Sequence, residues 1–345
     1  TDLITCWNME YRYSELVDPS VYETHSLGGG IPLRTHKDPQ KEIDGTLRAQ
    51  KDWVRYVHPL VGYKGGLGDS LSFVSATVPE CLPERLEIIS YANEFAFLYD
   101  GEFQPDRSMI SKRSLVKGST AKDKQDMHGR DQLVDSFSKG AANPHLDSVA
   151  GNADKLQAQV IKEMMAIDSD RAITTMKAWV KFLQLASRSR SQPQHTLEEY
   201  LPGRIIDAGE LIWYGTLTFG MALTIPDDEL ELCMELARPG YAAISLTNDL
   251  YSWNKEQEEA KRSGLDYVYN AIWVIMKERS INEEEAKAVC AAEIRDYIEQ
   301  YCQIVEEVQG CDWLSQDLRT YVEAVKASHI GNLVWSIYCP RYHDL

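Results

Sequence analysis

Apolar residues recur at helical spacing through most of the chain. Leu82-Pro83-Glu84-Arg85 places a proline and an acid where a helix begins, ahead of an apolar-rich run that predicts a helix over 86–100. Further on, apolar positions repeat near 153–188, 195–224, 227–262, 265–279, 283–309 and 313–337, separated by short polar or Gly/Pro breaks. None of these runs alternates as a strand would. The N-terminal part up to about residue 80, punctuated by Gly28-Gly29-Gly30 and by glycines between 62 and 68, predicts loops and short helices. Residues 101–152 are rich in Ser, Lys, Asp and Gly and too long for an ordinary connection, which predicts a mobile loop beside a site or a partly helical cover. No repeat, low-complexity tract or Pro/Ser linker divides the chain. The expected fold class is all-α: one helical-bundle domain spanning 1–345, with about ten or more helices.

Composition narrows the functions open to such a bundle. The 345 residues carry 36 basic against 53 acidic side chains, a net charge of −17, so the counterion-release affinity of a nucleic-acid binder is absent and anionic membranes are poor partners. Seven scattered cysteines, Cys6, Cys81, Cys233, Cys290, Cys302, Cys311 and Cys339, form no C-x-x-C pair, which points to a reducing, cytoplasmic setting and no zinc site. The most apolar stretch, Leu211 to Pro226, is too short to span a bilayer, and the N-terminus lacks a basic-then-apolar leader pattern. No integral membrane segment is expected.

Several familiar motifs can be set aside. Gly65-Gly66-Leu67-Gly68-Asp69-Ser70 has neither the Lys-Ser/Thr nor the preceding strand of a phosphate-binding loop and reads as a plain loop. The eight histidines include no E-x-x-H or H-E-x-x-H pattern, and no G-x-S-x-G elbow occurs. Di-iron bundles, zinc proteases and serine hydrolases fall away.

The informative stretch is Leu246 to Glu256, where Asn248, Ser252 and Glu256 stand at i, i+4 and i+8 on one helical face. Three oxygen donors at about 6 Å intervals, only one of them charged, suit a hard cation that keeps positions for water or phosphate oxygens, magnesium with its substrate. The same pattern also fits a solvated polar face.

Asn248-Asp249-x-x-Ser252-x-x-Lys255-Glu256 resembles the second metal-binding motif of class I terpene cyclases. Arg204-Ile205-Ile206-Asp207, with its arginine 44 residues earlier, resembles the family's diphosphate-sensing Arg-x-x-Asp, though an ordinary helix salt bridge has the same spacing. Arg341-Tyr342 resembles the closing Arg-Tyr pair, with Pro340 stopping the last helix ahead of it. The first metal motif belongs at the end of the 86–100 helix. There Asp100 fits the leading aspartate, but Gly101 replaces the second and Gln104 stands where the closing acid belongs, leaving Glu102 and Asp106 as the available substitutes. Four further segments, Pro79 to Leu86 with Asn93 to Phe97, Ile161 to Asp168, Glu199 to Arg204 and Cys339 to Tyr342, are similar to the cyclase domains of fungal chimeric (bifunctional) di- and sesterterpene synthases.

That resemblance implies a lyase that ionises a C20 or C25 polyprenyl diphosphate with about three magnesium ions, then cyclises the carbocation to a polycyclic hydrocarbon. Asp100, Asn248, Ser252 and Glu256 would hold metal; Arg204, Lys255, Arg341 and Tyr342 would hold diphosphate. By helical spacing and proximity to the motifs, Asn93, Ala96, Phe97, Trp213, Phe219 and Trp335 are candidates to line the pocket, with core packing as the alternative for each aromatic. Lys162 and Glu163 are either pocket groups or a surface pair. By the same likeness the prenyltransferase half of the fusion is expected as a partner outside this chain; a homo-oligomer stays open. Two alternatives remain: a chain impaired or silent in turnover because of Asp100-Gly101, and a prenyl-chain-elongating transferase of the same architecture.

Overall fold

The computed structural model describes residues 9–103, 152–189 and 194–343, and among them eleven α-helices account for the architecture. They are α1 (Pro39–Tyr56), α2 (Phe73–Thr77), α3 (Pro83–Phe103), α4 (Asn152–Ile167), α5 (Ser169–Ser189) and α6 (Leu197–Asp207). After these come α7 (Glu210–Gly220), α8 (Leu230–Arg262), α9 (Ala271–Arg279), α10 (Glu283–Gln309) and α11 (Gln316–Tyr338). The expectation for 104–151 lies outside the described residues.

Local chemistry sets many of these boundaries. Thr196 accepts from the Glu199 amide to start α6, Asn270 from Ile272 to start α9, and Ser315 from Leu318 to start α11. Asn282 and Glu285 form a reciprocal capping box at the head of α10. Two expected single runs are each split. The run near 153–188 breaks at Asp168, whose carboxylate accepts from the Arg171 amide at 3.2 Å. The run near 195–224 breaks between α6 and α7, where Gly209 takes φ +97°, a left-handed backbone costly for other residues.

The N-terminal expectation needs correction. An 18-residue amphipathic helix, α1, occupies 39–56 with Pro39 in its first turn, and β1 (Ser14–Leu16) pairs antiparallel with β2 (Arg34–His36). Its partner is α3, against which α1 lies lengthwise. The 33-residue α8, about 50 Å long, runs between α10 and α11, while α5 pairs with α7 and α2 packs on α11. One large apolar core joins α3, α5, α7, α8, α10 and α11. A second, small cluster, Trp53, Leu98 and Leu156, ties α1 and α4 to the far end of α3. Among the described residues no helix is long and apolar enough to cross a membrane.

Candidate active site

The oxygen row on α8 is assembled as its spacing requires. Ser252 Oγ donates to Glu256 Oε1 at 3.1 Å, and Asn270 Nδ2, at the head of α9, donates to Glu256 Oε2 at 3.2 Å and to the Asp249 carbonyl at 2.9 Å. One turn earlier, Asn248 Oδ1 accepts from Arg204 Nη2 and Asn248 Nδ2 donates to the Tyr342 hydroxyl, both at 2.7 Å. An amide, a hydroxyl and a carboxylate oxygen thus follow one another along one wall, a donor set that fits a hard divalent ion such as magnesium. Among the described residues no group of three or more His, Cys, Asp or Glu gathers in metal-binding geometry.

Arg204 anchors the back of this wall. Its Nε donates to Asp249 Oδ1 at 2.8 Å and its Nη1 to Asp207 Oδ2 at 3.1 Å, so with Asn248 the guanidinium fork is distributed over three side chains. Asp249 is fully buried and also accepts from the Tyr200 hydroxyl at 2.7 Å and the Ala271 amide at 2.9 Å. Burial pushes its carboxyl above the usual carboxylate range, against the pull of Arg204 and the bonds it accepts from Tyr200 and Ala271. Burial disfavours the Arg204 charge as well, yet Asp249 and the neighbouring Tyr200 and Asp207 hold it well above its ordinary value. Two buried carboxylates, Asp207 on α6 and Asp249 on α8, thus engage Arg204.

The C-terminal pair faces the same wall. Beyond its bond to Asn248, Tyr342 packs edge-on against Trp335, with ring centroids 5.5 Å apart. Burial pushes the Tyr342 hydroxyl far up, so it remains protonated and able to donate. Arg341 lies over the Phe97 ring at 4.8 Å and donates through Nη1 to the Lys64 carbonyl at 3.0 Å. Through this pair the last turns of α3 and the motif face of α8 converge.

Next to them lies an aromatic cluster. Phe73 stands at its centre, 4.8 Å from Trp335, 5.4 Å from Phe97 and 5.6 Å from Trp213. On α3, Asn93, Ala96 and Phe97 form a partly open stripe beside the buried Tyr91, Ala92, Glu94 and Leu98. Trp213 Nε1 donates to Ser328 Oγ at 2.8 Å, which leaves its ring apolar toward the cluster.

Not every expected residue joins the site. Phe219 is fully buried under the Arg85 guanidinium, 5.0 Å from its ring, near the start of α3 and about 22 Å along that helix from Asp100. It is a core residue, not a lining one. The helix that carries it, α7, runs unbroken through Gly215 and ends at Gly220. Lys255 shares the motif face of α8 and pairs with Glu259 at 3.8 Å. Glu163 is bound by Arg48 at 2.8 and 2.9 Å while Lys162 is exposed, so these two are not pocket groups. The backbones of Asp100, Gly101 and Glu102 close α3; their side chains lie outside the described residues, as do Gln104 and Asp106.

Sequence reasoning missed Phe73, Tyr200 and Asn270 and gave Asp249 no role. Only Asp249 carried a local signal, being the acid beside Asn248; the others come to the site through contacts between distant segments.

Solved structures with this fold include aristolochene synthase from Penicillium roqueforti, with TM-score 0.62 and 16% identity over 88% of this chain and 96% of that one. Germacradien-4-ol synthase from Streptomyces citricolor gives TM-score 0.65 at 16% identity over 89% and 96% of the two chains. The class is therefore the all-α bundle of class I terpene synthases. Residues 119–300 match the model of terpene synthase family 2, C-terminal metal binding, and the chain belongs to that family. Among curated relatives, a bifunctional type I diterpene synthase of Aspergillus flavipes is 47% identical over 97% of this chain but 42% of its own length. Fusicoccadiene synthase of Phomopsis amygdali is 40% identical over 97% and 46%, and a bifunctional sesterterpene synthase of Aspergillus aculeatus 42% over 97% and 45%. The chain spans less than half the length of these relatives.

Proposed function

We propose that the chain is the cyclase domain of a bifunctional terpene synthase, acting on geranylgeranyl or geranylfarnesyl diphosphate and releasing diphosphate and a polycyclic hydrocarbon. The observation that carries this reading is the meeting, at Asn248, of the α8 oxygen row with Arg204 at 2.7 Å and with Tyr342 at 2.7 Å, beside the Phe73-centred aromatic cluster. Asp100, Asn248, Ser252 and Glu256 hold the metal; Arg204, Lys255, Arg341 and Tyr342 hold the diphosphate. Magnesium, as a cluster of about three ions, supplies the positive charge that lets an anion of about three charges depart. The allylic C–O bond breaks heterolytically, its electron pair leaving with the diphosphate that Arg204, Arg341 and Tyr342 retain, and the cyclised cation becomes the hydrocarbon by losing a proton. Phe73, Phe97 and Trp213, backed by the buried Trp335, then offer apolar walls and π-faces to the carbocation, each face worth about 0.5–2 kcal/mol, enough to favour one cation over another. Asn93 and Ala96 complete the α3 side of the pocket. The prenyltransferase that supplies the substrate is the natural partner, as a domain of the same polypeptide.

Gly101 favours a second reading, a chain that binds the diphosphate without turning it over. Incubation with each diphosphate plus magnesium, read by gas chromatography and by released diphosphate, separates the two. Hydrocarbon and diphosphate in equal amounts support the cyclase; neither product supports the silent binder; longer prenyl diphosphates formed from isopentenyl diphosphate support chain elongation.

A further inference from the structure

The glycine loop ahead of α2 does more than connect. Glu94, fully buried on α3, accepts from Gln50 Nε2 at 2.7 Å through Oε1 and from the Gly66 amide at 3.0 Å through Oε2. The loop presses so closely on this carboxylate that a Cβ on Gly65 would lie 2.0 Å from Glu94 Oε1, so any larger residue there would have to displace the carboxylate. The carbonyls of the same loop face the C-terminal elements. Lys64 O accepts from Arg341 Nη1 at 3.0 Å, and Gly66 O accepts from Trp335 Nε1 at 2.9 Å and from the Phe73 amide at 2.9 Å. Lys64 Nζ in turn donates to the His343 carbonyl at 3.4 Å.

We infer that Glu94 is a positioning residue: through the Lys64–Gly66 loop its buried carboxylate sets the places of Arg341 and of Trp335 and Phe73. This rests on the reading of Arg341 as a diphosphate ligand. The physical basis is a relay of single hydrogen bonds. A carboxylate buried in α3 with two donors fixes the loop's amide side, and a fixed loop presents its carbonyls to two side chains at a constant place. These hydrogen bonds join Glu94 to Arg341 and Trp335 by way of the loop, where Tyr63 also interacts with both Glu94 and Arg341. Reach, not charge, is what the relay needs. A glutamine keeps an acceptor at the same distance from the Gly66 amide, and the Gln50 amide can turn to match it. An aspartate keeps the charge but withdraws it by about 1.5 Å, the length of one C–C bond.

The test compares Glu94→Asp, Glu94→Gln and Arg341→Ala, alone and with Arg341→Ala added to each Glu94 variant. Readouts are kcat/KM with geranylgeranyl diphosphate, affinity for inorganic diphosphate with magnesium by calorimetry, and amide exchange of a peptide covering 63–68. Glu94→Asp is expected to lower kcat/KM by about tenfold, to weaken diphosphate binding and to speed exchange of the loop, while Glu94→Gln recovers most of each loss. With Arg341 already removed, Glu94→Asp should weaken diphosphate binding no further, the non-additivity of two residues acting as one unit. Full additivity, or a worse outcome for Glu94→Gln than for Glu94→Asp, overturns the positioning role alone. An Arg341→Ala chain that binds diphosphate and turns over like the parent overturns the diphosphate reading and the positioning role with it. Thermal unfolding of each variant establishes that the chains compared are folded.

Discussion

The Asn248 side-chain amide donates to the Tyr342 hydroxyl at 2.7 Å, joining the oxygen row of α8 to a tyrosine 94 residues further along the chain. One residue thus presents its carbonyl oxygen toward Arg204 and its NH2 toward the C-terminal pair. Replacing Tyr342 with Phe removes the acceptor but keeps the ring against Trp335. A net hydrogen bond of about 1 kcal/mol corresponds to a several-fold change, so kcat/KM should fall about five- to tenfold, with the chain still folded and its unfolding midpoint lowered by a few degrees at most. A variant within about twofold of the parent would show that the hydroxyl does not steady the site.

Asn248→Ala and Glu256→Ala each delete one oxygen of the row, and neither residue packs in the apolar core. Turnover is expected to drop by about a thousandfold or more, while the circular dichroism spectrum stays that of the parent. Activity within about a factor of two would refute the ligand role of the residue concerned.

The pair Arg204 and Asp249 is out of water, with side chains 8% and 0% exposed, whereas Lys287 and Glu283 pair at 2.7 Å with 26% and 33% exposed. Removing Asp249 takes from Arg204 one of its two buried carboxylates and leaves the Tyr200 hydroxyl and the Ala271 amide without their acceptor, at a cost of about 3–5 kcal/mol, whereas a partly exposed pair is worth about 0–1 kcal/mol. Asp249→Ala should therefore lower the unfolding midpoint by many degrees, and Lys287→Ala by few. Equal shifts in the two variants would contradict this ordering.

His329, on α11, supplies a pH dependence of stability. It is fully buried, its Nε2 bonds the Leu27 carbonyl at 2.9 Å, and burial pushes its pKa down to about 4. The unfolded chain takes up this proton below about 6.5, the folded chain only near 4, so the stability it confers is full above 6.5 and lost as pH falls through that window. Between about pH 7 and pH 5 that loss is about 2 kcal/mol. Urea unfolding at the two pH values should show a smaller drop for His329→Gln than for the parent; parallel drops would exclude His329 as the source.

Much of the fold and part of the site could be read before any coordinates. The run at 283–309 coincides with α10 because Asn282 and Glu285 cap it and Gly310 follows. The α8 oxygen row was legible for the same reason, since i, i+4 spacing puts oxygens on one face whatever surrounds the helix. By contrast, α1 carries a glycine and many charges within its 18 residues, so only its amphipathic pattern marks it, and its burial depends on α3. Phe219 was misplaced because nearness to Arg204 in sequence says nothing about which end of α3 its ring meets. Phe73 and Glu94 were invisible because their importance arises from a loop bound to Trp335, 269 residues away from Gly66.

The place where a divalent ion binds decides the role of the α8 oxygen row. Crystals soaked with manganese and inorganic diphosphate should give anomalous peaks at about 2.2 Å from the side-chain oxygens of Asn248, Ser252 and Glu256, with a further peak beside Asp100 and diphosphate oxygens bridging them. Manganese bound elsewhere, with those three side chains keeping their bonds to Arg204, Tyr342 and Asn270 and no diphosphate between α3 and α8, would contradict that role.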